Sequence, residues 1–372
     1  MAASTLQQRP SGSHKLVSSK KSLLNSTPNA PTGSTHQRRK GLLAAMDRHQ
    51  IDGPLVAILT ILGTYALSPD SLAKKFLFFQ EYDAETRTYE KSWDDIYFVI
   101  FWVAAFTFLR AAVMTYVLTP MARRLGAASE RAVTRFAEQG WICIYYSFSW
   151  VTGMYCLQLT PTWKNWLVWF HTDQFLDSYP LTALPVITKY YYYLQFAFWI
   201  QQLFVLGIEA PRKDFLATIS HHLVTVSLIS FSLGLNVTTF GTAVFVAMDL
   251  ADIVLSFGKC LKYIEMPDSI CDPIFAFFMI VWVYTRHFLY GHIIYAWITY
   301  GHGYSSKLTY YVVICLLMVL QSLMFFWLWS ICRIVYKMFA SKGGVVDDRS
   351  EDEDEQPVEF NGNAETKNVV PA

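Results

Sequence analysis

Residues 215–261 read FLATISHHLVTVSLISFSLGLNVTTFGTAVFVAMDLADIVLSFGKCL, two apolar runs joined by a short link. Hydrocarbon about 30 Å thick is crossed by about 20 apolar residues in a helix. Lipid offers the backbone no other hydrogen-bond partner, so each run predicts a spanning helix. Yet these runs carry His221, His222, Asp249 and Asp252. An ionisable group in a bilayer costs about 2.5–3.5 kcal/mol on insertion scales, so each is by default a functional hypothesis.

The same ruler, moved outward, finds runs at 53–68, 96–120, 141–160, 187–207, 274–298 and 310–338 beside 215–234 and 240–261. With 53% hydrophobic and 16% charged residues, the chain is excluded from the ordinary soluble class, where charge runs near a quarter. The fold expected is all-α, a polytopic membrane helix bundle of about eight transmembrane helices, the first run being the shortest. Residues 1–52 are rich in Ser, Thr, Pro, Lys and Arg and read as a disordered cytosolic tail. Residues 53–95 hold the first span and a lumenal loop, and 341–372 form a second tail with the acidic run Glu351 to Glu355, where Ser350 is a candidate phosphorylation site. Six scattered cysteines without CxxC spacing read as packing residues, so no metal site or disulfide framework is expected.

Orientation follows the Lys and Arg of short loops. The N-terminal tail and the loop bearing Arg123, Arg124, Arg131 and Arg135 are basic, as are the run ends at Arg212, Lys213, Lys259 and Lys262. Both termini are therefore expected on the cytosolic side.

At about 1.5 Å per residue, His221 and His222 sit roughly 10 Å inside that face, with Asp252 at roughly 13 Å and Asp249 at roughly 18 Å. Arg286 and His287 in the next run reach about the depth of Asp249. Three antiparallel helices thus bring polar groups to nearly one level. A histidine near a carboxylate gains a fixed tautomer and a more basic ring, which suits a general base or nucleophile. Asp249 and Asp252, three residues apart, share a helix face on this reading. A structural ion-pair network is the bland alternative. A metal site is the weaker one, because adjacent histidines point about 100° apart. Arg212, Lys213 and Lys259 lie at the rim, where they serve either as phosphate contacts or as ordinary cytosolic flanks.

The ordered set Arg212-Lys213-Asp214-Phe215, His221-His222, Thr225, Ser232, Asn236, Gly241, Asp249-Leu-Ala-Asp252, Lys259 and Tyr263 closely resembles the signature of the TLC-domain ceramide synthases, the longevity-assurance family of sphingosine N-acyltransferases. Gln195 with Trp199, and the Trp282 to His287 stretch, are similar to the fungal branch and extend the likeness over most of 96–340, read as the catalytic domain. Leu233 and Thr239 depart from the commoner family residues, and Met248 stands where many members have His. The resemblance implies a six-helix core with flanking spans in the endoplasmic reticulum membrane. It also implies transfer of a fatty acyl group from acyl-CoA, a co-substrate, to a sphingoid base, with no cofactor. His221 and His222 would be catalytic with Asp249 and Asp252. Arg212, Lys213, Lys259, Arg286, His287 and Asn236 would contact substrate. Either histidine can be the nucleophile of a two-step route or the base of a direct one. A small single-span regulatory subunit and homodimerisation are further expectations. The alternative from another class is a TRAM-like membrane protein without acyl transfer, which need not keep the paired histidines and aspartates. A transporter would spread its charges through the full membrane depth.

Overall fold

The computed structural model describes residues 50–159, 179–208, 214–303 and 305–341. Both tails and the rim pair Arg212 and Lys213 lie outside the described residues. Among the described residues, eight long helices fall on the eight apolar runs, some extending beyond them: α1 (Asp52–Leu67), α3 (Asp95–Arg124), α4 (Glu130–Gln158), α5 (Val186–Ile208), α6 (Phe215–Gly234), α7 (Thr238–Tyr263), α8 (Asp268–Gly303) and α9 (Lys307–Ser341), with a short α2 (Ala73–Leu77) after the first. Helices α3, α6, α7 and α8, with Lys307–Tyr336 of α9, are long and apolar enough to cross a membrane alone. Of the other three, α4 and α5 bury polar residues against the bundle, Gln139 and Ser149 from α4 and Lys189, Gln195 and Gln201 from α5. α1 has 16 residues, about 24 Å of helix, buries none of them, and packs mainly on α2 and α3 among the described residues.

Neighbour relations close a ring in the order α4, α7, α8, α9, α6, α5 and back to α4, with α3 outside against α5. The seam of α4 along α7 is the most extensive, and a Cβ on Gly153 would come within 2.7 Å of the Val246 side chain. One apolar core joins α7, α8 and α9; a second joins α3, α4 and α5.

Two helices change pitch inside the bundle. Met114–Leu118 of α3 winds as a π turn just before Pro120, whose ring clashes with the carbonyl one turn back and so favours a wider turn. Tyr284–Leu289 of α8 does the same without a proline.

The loop before α3 departs from the all-helical expectation. Asp83 accepts hydrogen bonds from the Glu85 amide (2.9 Å) and the Thr86 hydroxyl (2.8 Å), a local turn that folds β1 (Tyr82–Asp83) onto β2 (Thr88–Glu90). β3 (Ala183–Pro185) adds antiparallel to β2, so a three-stranded sheet lies at the end of the ring opposite the basic loops. Beneath it Lys189 is fully buried, 2.9 Å from Asp95 Oδ2, donating to the Glu90 carbonyl at 2.6 Å and lying over the Phe79 ring. A charge so placed requires its partners.

Candidate active site

Two cavities occupy the ring and meet end to end. The deeper is an apolar chamber of about 710 Å³, walled by residues such as Leu228, Phe240, Val244, Trp297 and Leu317. The other is a vestibule of about 1490 Å³, open at the end where α6 begins and α7 ends, with Glu138, Gln139, Asp214 and Lys259 among its polar lining. Trp199, His221, Asp252 and Arg286 line both, and so mark the junction.

His221 comes from the second turn of α6. Its ring stands edge-on to Trp199 (centroids 5.3 Å) and Trp327 (5.5 Å), so packing fixes its plane. His222, next in sequence and about 100° round the helix, leans on Trp199 and lines the vestibule alone. The buried Nδ1 atoms of both rings have no hydrogen-bond partner among the described residues.

Asp252 and Arg286 form the charged half of the junction. The guanidinium Nη2 lies 2.8 Å from Asp252 Oδ2 and donates to the Met248 carbonyl at 2.8 Å. Nη1 reaches the Met248 sulfur at 2.9 Å, and the Met324 sulfur lies at 3.5 Å. The Trp282 ring lies beneath the group, its centroid 4.8 Å away. Nε has no partner among the described residues.

The two aspartates part company. Sixty degrees of helix phase send Asp249 toward α4 and α5, where it is buried and accepts from Ser149 Oγ at 2.5 Å and Gln195 Nε2 at 3.4 Å. Gln195 also bonds Ser149, accepts from the Tyr145 hydroxyl at 2.9 Å and donates to the Tyr191 hydroxyl at 3.2 Å. Asp249 lines neither cavity.

The remaining candidates scatter. Lys259 lines the vestibule. The π turn aims Arg286 inward, while His287 bonds Gln321 through Nδ1 (2.9 Å) and stacks on Phe325, away from both cavities. Asn236 sits at the far end of α6 with φ 59°, its Oδ1 accepting from Lys91 Nζ at 2.8 Å. Sequence reasoning missed Ser149, Met324 and Trp327, because uncharged residues give no signal until the helices are paired. It also missed Lys189, whose signal, a lone cation inside an apolar run, was present in the sequence.

An apolar chamber, a polar mouth and a histidine between them can hold a long hydrocarbon chain and present its activated end. Comparison with known proteins gives the same class. The TLC domain model matches residues 135–333, from the first turns of α4 to the last third of α9, which is the ring itself. Sphingosine N-acyltransferase lag1 of Schizosaccharomyces pombe is 34% identical over 315 residues, covering 81% of this chain and 78% of that protein. The same organism's sphingosine N-acyltransferase lac1 is 34% identical over 319 residues, covering 82% and 81%. Ceramide synthase LAG1 of Saccharomyces cerevisiae is 32% identical over 289 residues, covering 74% and 68%. The chain belongs to the TLC-domain family, in the branch of the fungal sphingosine N-acyltransferases, and is a multi-pass membrane acyltransferase.

Proposed function

We propose that the enzyme transfers a fatty acyl group from acyl-CoA to the amine of a sphingoid base, giving a ceramide and free CoA, in the endoplasmic reticulum membrane with both termini cytosolic. The observation that carries this reading is His221 at the junction of the chamber and the vestibule. The acyl chain lies in the chamber, the CoA moiety in the vestibule, and the thioester between them at the imidazole.

A thioester is already activated, so positioning and charge stabilisation supply most of what the reaction needs. A His221 ring nitrogen attacks the carbonyl carbon, the C–S bond breaks, and the leaving thiolate of CoA takes up the proton that the acylated ring gives up from its other nitrogen. The sphingoid ammonium loses one proton to a carboxylate or water, the amine attacks the acyl-imidazole, the C–N bond to the ring breaks, and the freed ring nitrogen takes the second amine proton. Arg286 stands beside this carbon with its Nε–H still available for the developing oxyanion. Asp252 keeps Arg286 in place and attracts the cationic amine. Asp249 acts at one remove, fixing α7 against α4 and α5 through Ser149 and Gln195. Lys259, with Arg212 and Lys213, serves CoA phosphates at the mouth.

The cytosolic assignment of the mouth is supported by the end of the ring that carries it. There the Arg123 to Arg135 loop and Lys262 fall on the same side as the vestibule. A small single-span subunit and a homodimer are the partners proposed.

The test is purified enzyme with labelled acyl-CoA and no amine, followed by mass spectrometry of the peptide containing His221. An acyl adduct there, lost on adding sphingoid base, supports the two-step route. Catalysis without an adduct leaves direct transfer with His221 as base, and full ceramide synthesis by His221→Ala removes both.

A further inference from the structure

Hydroxyls inside helices ordinarily donate to the carbonyl four residues back. In α6 Thr218 does so to Asp214 (3.0 Å), Ser227 to Leu223 (2.8 Å) and Ser230 to Val226 (2.9 Å). On neighbouring helices Thr242, Ser256 and Thr285 do the same. Thr225 does not. It is 91% buried (9% exposed), it lines the chamber, and its Oγ1 has no partner among the described residues. An unsatisfied buried hydroxyl is unfavourable, and the usual internal bond would relieve it, so its absence points to a partner in the chamber.

Its position gives the partner's chemistry. Thr225 lies four residues beyond His221 on the same face of α6, about 6 Å deeper, and a helical side chain leans back toward the N-terminus, here toward His221. An extended chain advances about 1.2 Å per bond. The hydroxyl is therefore within reach of substituents up to about five bonds from the reacting carbonyl. Leu228 and Ile229 flank it with hydrocarbon, while Ser232, deeper in the chamber, is occupied by the Val237 carbonyl at 3.0 Å.

On the acyl-transfer reading above, we propose that Thr225 is a specificity residue that hydrogen-bonds a hydroxyl of the long-chain substrate close to the new amide. That hydroxyl belongs either to a 2- or 3-hydroxyacyl donor or to the sphingoid base beside its amine. One neutral hydrogen bond is worth about threefold to tenfold in discrimination.

The experiment uses the full-length purified enzyme and its Thr225→Val and Thr225→Ser variants. Amide formation is measured by mass spectrometry with plain, 2-hydroxy and 3-hydroxy acyl-CoA of one length, against sphinganine, 1-deoxysphinganine and 4-hydroxysphinganine. The expected result is that Thr225→Val, equal in shape but without the hydroxyl, shrinks the preference for one hydroxyl threefold to tenfold, and that Thr225→Ser restores it. Which pair of substrates loses its ratio identifies the source. If Thr225→Val leaves every ratio unchanged, or slows all pairs by one factor, the inference is overturned while the acyl-transfer reading stands. A wild type that forms no amide from any pair overturns the reading itself, and this inference with it.

Discussion

Asp252 of α7 and Arg286 of α8 meet at 2.8 Å where the chamber opens into the vestibule, and His221 lines the same junction from α6. The guanidinium is 3% exposed and the carboxylate 25%. Removing one member of such a pair strands the other, at a cost of about 3–5 kcal/mol. Arg286→Met and Asp252→Asn should therefore each lower the melting temperature in detergent and reduce ceramide synthesis at least a hundredfold. The double variant should regain much of the stability and none of the activity. Recovery of activity in the double variant would show the pair to be structural only.

The neighbouring histidines separate by position. His221 touches both cavities, and His222 the vestibule alone. His221→Ala is expected to abolish turnover. His222→Ala should keep a measurable rate, with KM for acyl-CoA changing more than kcat. Equal loss of kcat in both variants would contradict this division.

Chamber depth sets a prediction for chain length. From Asp252 to Phe240 and Arg286 to Trp297, residues that line the chamber at its two ends, the helices give about 16–18 Å at 1.5 Å per residue. A straight acyl chain advancing about 1.2 Å per bond fills that depth with about 14 to 16 carbons. Trp297, fully buried and packed 5.5 Å from Phe240 between ring centroids, stands at the far end. Trp297→Ala should shift the product profile, read by mass spectrometry with mixed acyl-CoAs, toward longer chains. An unchanged profile would place the gauge elsewhere.

Lys91, in the loop before α3, has its amine pushed down to about 8, first by burial and then by the like charge of Lys189. An unfolded lysine titrates near 10.4. Between about pH 8 and 10.4 the unfolded chain thus binds more protons at this site than the folded one, so this contribution makes stability rise with pH. Below pH 8 both states are charged and the penalty is constant. Lys91→Met should flatten the rise in melting temperature between pH 8 and 10 relative to wild type. A slope identical to wild type would show the amine to be solvated.

The apolar runs determined the number and order of the long helices, because the length of hydrocarbon to be crossed is a one-dimensional requirement that sequence states directly, whereas the limits moved, α4 beginning at Glu130 rather than at 141. That His221, Asp252 and Arg286 fall near a common level was legible for the same reason, since a helix advances by a fixed rise per residue, although the sequence set Arg286 level with Asp249 and the structure pairs it with Asp252. What the sequence left open was direction around each helix and the identity of its neighbour. Asp249 and Asp252 differ by only 60° of phase, yet one faces Ser149 and Gln195 and the other faces Arg286. The π turn at Tyr284–Leu289 alters the phase of everything after it, and no proline announces it. The burial of Lys189 waited on a three-stranded sheet whose third strand lies almost a hundred residues from the second. Tertiary packing alone decided these points: a side chain's partners depend on which helices close the ring, and that is fixed by contacts between segments distant in the chain.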